Sequence, residues 1–467
     1  MLKRVVERFS SSLGPWEVFR NLYTAQDVCF FLDSVTHRFP DQNYSYIAAN
    51  PFFEFSLKAG TSASKPVIEM RGAKPEGVLR ENWMETLRAC LKKFETVKAR
   101  PLPFFSGGAV GYWSYDLVPF LEKKIRKFKA KSELPPLYFG FFRDVIVYDH
   151  RARSYWLVTH EGPGQPKARE SLKELKRFFY KPKALKAGLK ITGFKPDIPR
   201  SRFEKMVRRA KDYIESGDIY QANLSQRFSF HCEGDKLRLY DALRRINPSP
   251  FSSFFKIRAL EIISSSPERL VAKRGDLCET RPIAGTRRKP EKGGLAKVKS
   301  ELLENEKERA EHIMLVDLER NDLGRVCKWP SVRVDEMMKI EAYSHVVHIV
   351  SKITGRLEKG RDALDLMSAM FPGGTVTGCP KIRCMEIIDE LEPSARGLYT
   401  GSIGYLDFSG DMDMNIVIRT LVLNGKKGHL QVGAGIVYDS DPAREYEETL
   451  HKGEALAEAL ARSAAVK

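Results

Sequence analysis

The sequence predicts a chain of helices and antiparallel strands. Two observations predict it. Three strand patterns near the C-terminus, LYTGSIGYLDF, MDMNIVIRTLVLNG and HLQVGAGIVYD, follow one another across short turns at Ser409–Gly410 and Asn424–Gly425–Lys426. Turns this short join antiparallel neighbours. Flanking them are segments whose apolar residues recur at helical spacing and that begin at proline or end at glycine.

In chain order, the first ~150 residues carry short strand runs such as YSYIAA, VIVYD and SYWLVTH, separated by turns. A Gly/Pro/Lys-rich stretch from Glu161 to Pro199 reads as a connector with one basic helix. The chain therefore divides into residues 1–160, a connector 161–199 and a denser region 200–467. Arg202–Glu215 has helical spacing and stops at Gly217; Glu304–Leu318 is a second helix. Pro380–Leu391 follows a Gly-rich turn, with Pro380 suited to the first helical position. Asp441–Ala464 reads as a long final helix.

Composition excludes several functions. At 467 residues, 42% hydrophobic and 30% charged, the chain fits a globular protein with a real core. No apolar run reaches the ~18 residues of a membrane span, and the basic N-terminus MLKRVVERFSSSLGPW lacks a signal-peptide core. The net charge of +18 sits mainly in Lys123–Ser132 and Lys173–Lys190. Neither stretch belongs to a nucleic-acid motif, so a solvated basic surface is expected, with no nucleic-acid or membrane partner. Seven scattered cysteines without C-x-x-C fit a reducing cytoplasm and no zinc site.

The turns also set a register. Antiparallel pairing makes residues equidistant from a turn neighbours. Tyr399 and Arg419 are equidistant from Ser409, and Arg419 and Gly433 from Lys426. A phenol, a guanidinium and the Gly433–Ala434–Gly435 segment are thus expected in one row across three adjacent strands. Arginine offers a bidentate fork to a carboxylate, and glycines let backbone N–H groups approach an anion. A bulged strand with a surface arginine would look the same.

Other residues stand out, each with a plainer alternative. Glu448 and Lys452, spaced i,i+4, form an ordinary helix pair or part of a site. Glu311, within AEHIMLVDL, is a helix-surface charge or a hard-cation ligand; two carboxylates from distant helices suit Mg²⁺. His348 shares a strand face with Val346 and Val350, as a satisfied core histidine would. Glu268, at the end of the strand EIISSS, is a turn cap, or a general acid if burial raises its pKa. The PGGTVTG segment, Pro372–Gly378, could receive an anion but lacks phosphate-loop spacing.

Together GDIYQANLSQRF, SSSPERL, TRPIAGT, RAEHIMLVDLERNDLGRV, HVVHIVS, FPGGTVTGCPKIRCMEIIDELEP, GSIGY, MDMNIVIRT and VGAGIVYDSDPAREYEET resemble the chorismate-utilising enzymes. The likeness is to the large subunits (component I) of aminodeoxychorismate synthase and anthranilate synthase, from about Arg202 to Ala457. FFLDS, YSYIAANP and FSGGAVGYWSYDL carry a weaker match to the N-terminal domain of that type. The resemblance implies an α+β fold of two large, mostly antiparallel sheets packed as a sandwich with outer helices. It implies chorismate as substrate and Mg²⁺ as cofactor, held by Glu311 and Glu448. Tyr399, Arg419, Gly433, Ala434, Gly435 and Lys452 match positions that hold the substrate carboxylates, and Thr375 belongs to the same site. Glu268 matches the general acid for the 4-hydroxyl, and His348 a histidine beside the ring. In TRPIAGT, Ala284, Gly285 and Thr286 match a turn lining the substrate.

Gln221 matches the position where relatives that add water place a lysine, so ammonia is the expected nucleophile. The product divides the signals. Para-type enzymes commonly read PIKGT, with the lysine proposed to attack the ring, whereas Ala284 cannot be a nucleophile; Ala284 and Thr375 point to anthranilate. GDIYQANLSQRF, NPSPFSSFF, SSSPERL and FLDS look para-type, and these several features favour aminodeoxychorismate synthase. Ser34, Pro250, Phe251 and Ser252 match the tryptophan-site positions only in part, which argues against feedback inhibition. No cysteine has the glycine-flanked setting of a glutaminase nucleophile, so ammonia is expected from a separate glutamine amidotransferase subunit.

Overall fold

The computed structural model describes residues 2–35, 43–96, 102–125, 128, 132–162, 165–182, 184–185, 188–288, 290, 294–342 and 346–465. Among these, the strands form two antiparallel sheets, one of 12 strands and one of 11. The reason they stack is legible in the side chains. Successive residues on a strand point to opposite faces. In the larger sheet Phe30, Tyr46, Val147 and Ile262 face inward and meet Val110, Tyr112, Tyr138 and Tyr405 of the second sheet in one buried cluster. Their neighbours Phe31, Ile47, Ile146 and Ile263 face outward, against the helices Pro15–Ala25, Leu237–Ile246 and Pro442–Ala465. On the second sheet Ala109, Trp113, Phe139 and Met412 face the helices Trp83–Lys93 and Ala363–Met370. Each large side chain buried in these layers contributes roughly 1.5–3 kcal/mol. The fold is the expected α+β sandwich with outer helices.

Both sheets cross the boundary drawn between the two halves of the chain. Val28–Asp33 pairs with Phe251–Ile257 in the larger sheet, and Gly108–Trp113 pairs with Ser402–Asp407 in the second. The stretch between the halves carries the expected basic helix at Ala168–Lys176. It also carries a strand, Lys190–Pro196, which borders Gln221–Glu233.

The helices lie where the caps put them. Arg200–Glu215 starts two residues earlier than the spacing suggested. The helix expected over Glu304–Leu318 runs from Glu306 to Gly324, because the Asn305 side chain accepts from the Glu308 N–H and fixes its start. Pro380 is the N-cap of Lys381–Leu391 rather than its first helical residue. In the C-terminal helix Pro442–Ala465, Asp441 accepts from the Arg444 N–H.

The three C-terminal strand patterns do not form three adjacent strands of one sheet. The middle one breaks in two. Met412–Asn415 pairs with Ser402–Asp407 in the second sheet, centred on Ser409 as expected. Thr420–Asn424 pairs with Lys427–Ile436 in the larger sheet, with Leu421 opposite Leu430. The residues between them, Ile416–Arg419, cross from one sheet to the other. A second crossing runs beside it, because Leu260–Ser266 belongs to the larger sheet and Arg269–Arg274 to the second. The two crossings are stitched together: the Ile416 N–H donates to the Glu268 carbonyl at 3.0 Å, and the Ser265 N–H donates to the Arg419 carbonyl at 3.1 Å. Glu268 and Arg419 are therefore brought together by the sandwich itself.

Candidate active site

The site forms around these paired crossings. Arg419 has φ of +52°, a left-handed conformation unusual for arginine. That conformation turns the chain out of one sheet into the other. Backbone bonding continues past the strand ends, with Thr400 N–H donating to Val417 O at 2.8 Å and Val417 N–H to Gly401 O at 2.9 Å, which ties the segment after Tyr399 to the crossing. In the larger sheet the register falls one residue from the expected one: Leu421 faces Leu430 rather than Gln431. Tyr399 still meets Gly433. A Cβ on Gly433 would lie 2.6 Å from the Tyr399 hydroxyl and 2.7 Å from the Leu224 carbonyl, so only glycine fits. A Cβ on Gly435 would lie 2.5 Å from Nε2 of Gln221. Ala434 between them is fully buried.

The ionisation of the buried groups follows from their surroundings. The Glu268 carboxyl is pushed up from 4.5 to about 7, chiefly by burial. The Thr375 hydroxyl, Arg419, the Ile283 N–H and Lys452 pull the other way. A carboxyl so placed is substantially protonated near neutral pH and can donate. His348 is pushed down to about 4, first by burial and then by Arg419, so its ring is neutral. Its Nδ1 lies 3.2 Å from the Gly285 carbonyl, which only accepts; Nδ1 therefore carries the proton. Burial pushes the Tyr399 phenol up to about 12, so it stays a neutral donor.

The TRPIAGT segment is a bulged strand, not a turn. Ile283–Arg288 pairs with Val346–Arg356, and the register slips between Ala284 and Thr286. Gly285 takes up the bulge with φ of +59°. A Cβ there would lie 2.9 Å from Glu308 Oε2. Ala284 is buried. The Thr286 side chain lies outside the described residues. Val347 and Ile349 pack against Leu302, which leaves His348 on the opposite strand face. Thr375 lies in a 3-10 turn, Gly374–Val376. The glycines beside it allow close packing: Cβ atoms on Gly373 and Gly374 would collide with the Ile416 and Leu318 side chains.

Two helices bring carboxylates to the same strands. Glu311 Oε1 accepts from Gln221 Nε2 at 3.0 Å. Glu448 pairs with Lys452 at 2.7 Å, and Lys452 Nζ also donates to the Gly433 carbonyl at 3.2 Å. The sequence reading missed Glu308 and Glu445. Each lies one turn before Glu311 or Glu448, and the repeated Glu-x-x-Glu spacing was the available signal. Glu308 Oε2 is buried with no hydrogen-bond partner. Among the described residues no three His, Cys, Asp or Glu side chains form a preformed metal cage. Paired carboxylates on two helices, with an unpartnered oxygen, fit a hard cation that keeps several water or substrate ligands, as Mg²⁺ does.

Ser34, Pro250, Phe251 and Ser252 also cluster. Ser252 stands opposite Asp33, and Phe251 opposite Ser266, two residues before Glu268. Ser34 and Ser252 are buried; the Ser34 N–H donates to the Ser45 hydroxyl, and the Ser252 hydroxyl donates to the Ser249 carbonyl.

A glycine-lined strand with Tyr399 and Lys452 beside it, near a buried carboxyl raised toward neutral pH and two helices carrying glutamates, is the arrangement on which the comparisons bear. A family model described as "chorismate binding enzyme" matches residues 14–458. The chain belongs to the chorismate-binding enzyme family. The chain is 44% identical over 432 residues to aminodeoxychorismate synthase component 1 of Bacillus subtilis, covering 89% of each chain. It is 37% identical over 481 residues to anthranilate synthase component 1 of Acetivibrio thermocellus, covering 99% of this chain and 96% of that one. The crystal structure of anthranilate synthase component I from Streptococcus pneumoniae superposes with a TM-score of 0.77 at 34% identity, covering 89% of this chain and 92% of that one. Membership in the chorismate-binding family accounts for both sheets, because the matched region includes strands of each. No helix among the described residues is long and apolar enough to cross a membrane.

Proposed function

We propose that this chorismate-utilising enzyme aminates chorismate with ammonia to 4-amino-4-deoxychorismate, as an aminodeoxychorismate synthase component I. The observation that carries the chemistry is Glu268, a buried carboxyl raised to about 7 at the crossing of the two sheets. It protonates the departing 4-hydroxyl, and Arg419 beside it fixes a substrate carboxylate. The Tyr399 hydroxyl and the backbone of Gly433–Ala434–Gly435 hold the other charged end, with Lys452 behind them. His348, neutral and oriented by Gly285, packs against the ring and can accept a proton at Nε2. Bound Mg²⁺, held by Glu311 and Glu448 with Glu308 and Glu445 beside them, would neutralise the ring carboxylate. Gln221, hydrogen-bonded to Glu311, has no basic nitrogen with which to activate water. Ammonia brings its own lone pair.

The 44% identity to an aminodeoxychorismate synthase component 1 supports the para product. Ala284 favours a second reading, anthranilate, because a methyl group cannot form a covalent intermediate with the ring. The "component 1" in the relatives' names supports a separate partner that supplies ammonia from glutamine. The purified chain with chorismate, Mg²⁺ and ammonium decides the product, read by fluorescence and mass. Accumulation of aminodeoxychorismate supports the proposal; direct appearance of anthranilate reverses it.

A further inference from the structure

Behind Glu268 lies a second buried carboxyl that the proposed chemistry does not use. Glu319, on the helix Glu306–Gly324, is 4% exposed. Its Oε2 lies 2.5 Å from the Thr280 hydroxyl, and the same hydroxyl lies 2.8 Å from the Leu270 carbonyl. Thr280 has one hydroxyl proton. A carbonyl and an ionised carboxylate both only accept. One hydroxyl proton cannot make two strong, near-linear hydrogen bonds; shared between both acceptors it would serve each weakly, whereas a proton on Glu319, the one acceptor able to carry it, completes both. Thr280 then donates to Leu270 and accepts from Glu319.

We propose that Glu319 is a positioning residue for Glu268, held as a neutral carboxylic acid that donates through Thr280 to fix the backbone just beyond the acid. Leu270 lies two residues after Glu268, at the start of Arg269–Arg274. The intervening Arg269 is itself fixed, forking onto both oxygens of Asp413 at 3.0 Å and reaching Glu279 at 2.8 Å. The strand beyond Glu268 is thus tied at consecutive residues, once by an ion pair and once by a neutral chain. The neutral form matters electrostatically. When Glu268 releases its proton, a negative charge appears in a dry site, and an ionised Glu319 would oppose it.

The surroundings agree. The Glu319 carboxyl is raised from 4.5 to about 8, first by burial, with the charges of Glu268 and Asp322 adding to the rise and that of Lys381 opposing it. Lys381 is itself engaged by Asp322 and donates to the Met370 carbonyl at 3.3 Å. The groups facing Glu268 are Thr375, Arg419, the Ile283 N–H and Lys452.

This inference rests on the acid role given to Glu268, so its test includes an arm that needs no turnover. Infrared titration of the full chain, without substrate, should show a protonated-carboxyl band that Glu319→Gln removes. In Glu268→Gln the Glu319 band should titrate at lower pH, because a neighbouring negative charge is gone. In turnover, Glu319→Gln, neutral and still a donor, should keep kcat near pH 6.5 within about twofold, and Glu319→Ala should lower kcat about tenfold with KM little changed. The alkaline limb, which reflects two ionisations in the natural chain, should reflect one in Glu319→Gln. Absence of the Glu319 band at pH 6.5, or an alkaline limb identical in both, overturns the proposal. Full turnover by Glu268→Gln would overturn the acid role alone, leaving the infrared result to decide Glu319.

Discussion

Replacing Glu268 with glutamine should make the enzyme inactive and, above neutral pH, more stable. The sign follows from the direction of the shift. The folded carboxyl titrates at about 7 and an exposed one at 4.5. Between those values the unfolded chain gives up its proton while the folded chain keeps it. Stability contributed by this group therefore falls as pH rises from 4.5, and the loss is complete once pH passes about 7. A shift from 4.5 to about 7 corresponds to a penalty on the order of 3 kcal/mol at pH 8, and to none at pH 4.5. Glutamine carries no such penalty. Urea unfolding at pH 5 and pH 8 measures it: the variant's advantage should be small at pH 5 and a few kcal/mol at pH 8. Its turnover should drop by about 10²–10⁴. Equal stability of the two proteins at pH 8, or an advantage independent of pH, would refute the burial argument for the acid.

Other perturbations read other parts of the site. Gly433→Ala forces a Cβ to 2.7 Å from the Leu224 carbonyl, which is backbone and cannot swing aside, so stability should drop by about 1–3 kcal/mol and KM should rise. Gly435→Ala meets only the tip of Gln221 at 2.5 Å; the protein should fold normally, but with Gln221 pushed off Glu311 and ammonia use impaired. Glu448→Gln should raise the Mg²⁺ concentration for half-maximal rate at least about tenfold, while stability changes by only ~0.3–0.5 kcal/mol because its pair with Lys452 is half-exposed. Gln221→Lys supplies a base beside Glu311 and should yield some water-addition product; a variant that makes none would count against the nucleophile assignment.

Much of this was legible in local patterns. The helices follow from their caps and periodicity, and the Ser409 and Lys426 turns fixed registers correct to within one residue. The change of sheet at Ile416–Arg419 left no sequence signal, because MDMNIVIRTLVL reads as one uninterrupted strand. The bend is absorbed by a left-handed arginine where glycine would have announced it. The pairing of Val28–Asp33 with Phe251–Ile257 was equally silent, since nothing local encodes contacts so distant in sequence. Among the site residues, Tyr399, Gly433 and Gly435 were readable from spacing. The roles proposed for Glu268 and His348 needed the resemblance, because they depend on burial, which a lone carboxylate or imidazole does not advertise. Glu319 sits on a helix whose exposed and buried carboxylates look alike in sequence, and only the shared Thr280 hydroxyl distinguishes it.

A crystal structure of the chain with chorismate and Mg²⁺, in the absence of ammonia, tests the central claim most directly. The account predicts the substrate lodged where the two strands change sheets, with its 4-hydroxyl within hydrogen-bond reach of Glu268, a carboxylate on Arg419 or Tyr399, and the metal between Glu311 and Glu448. Chorismate bound elsewhere, or turned so that Glu268 reaches no oxygen of the leaving group, would contradict it.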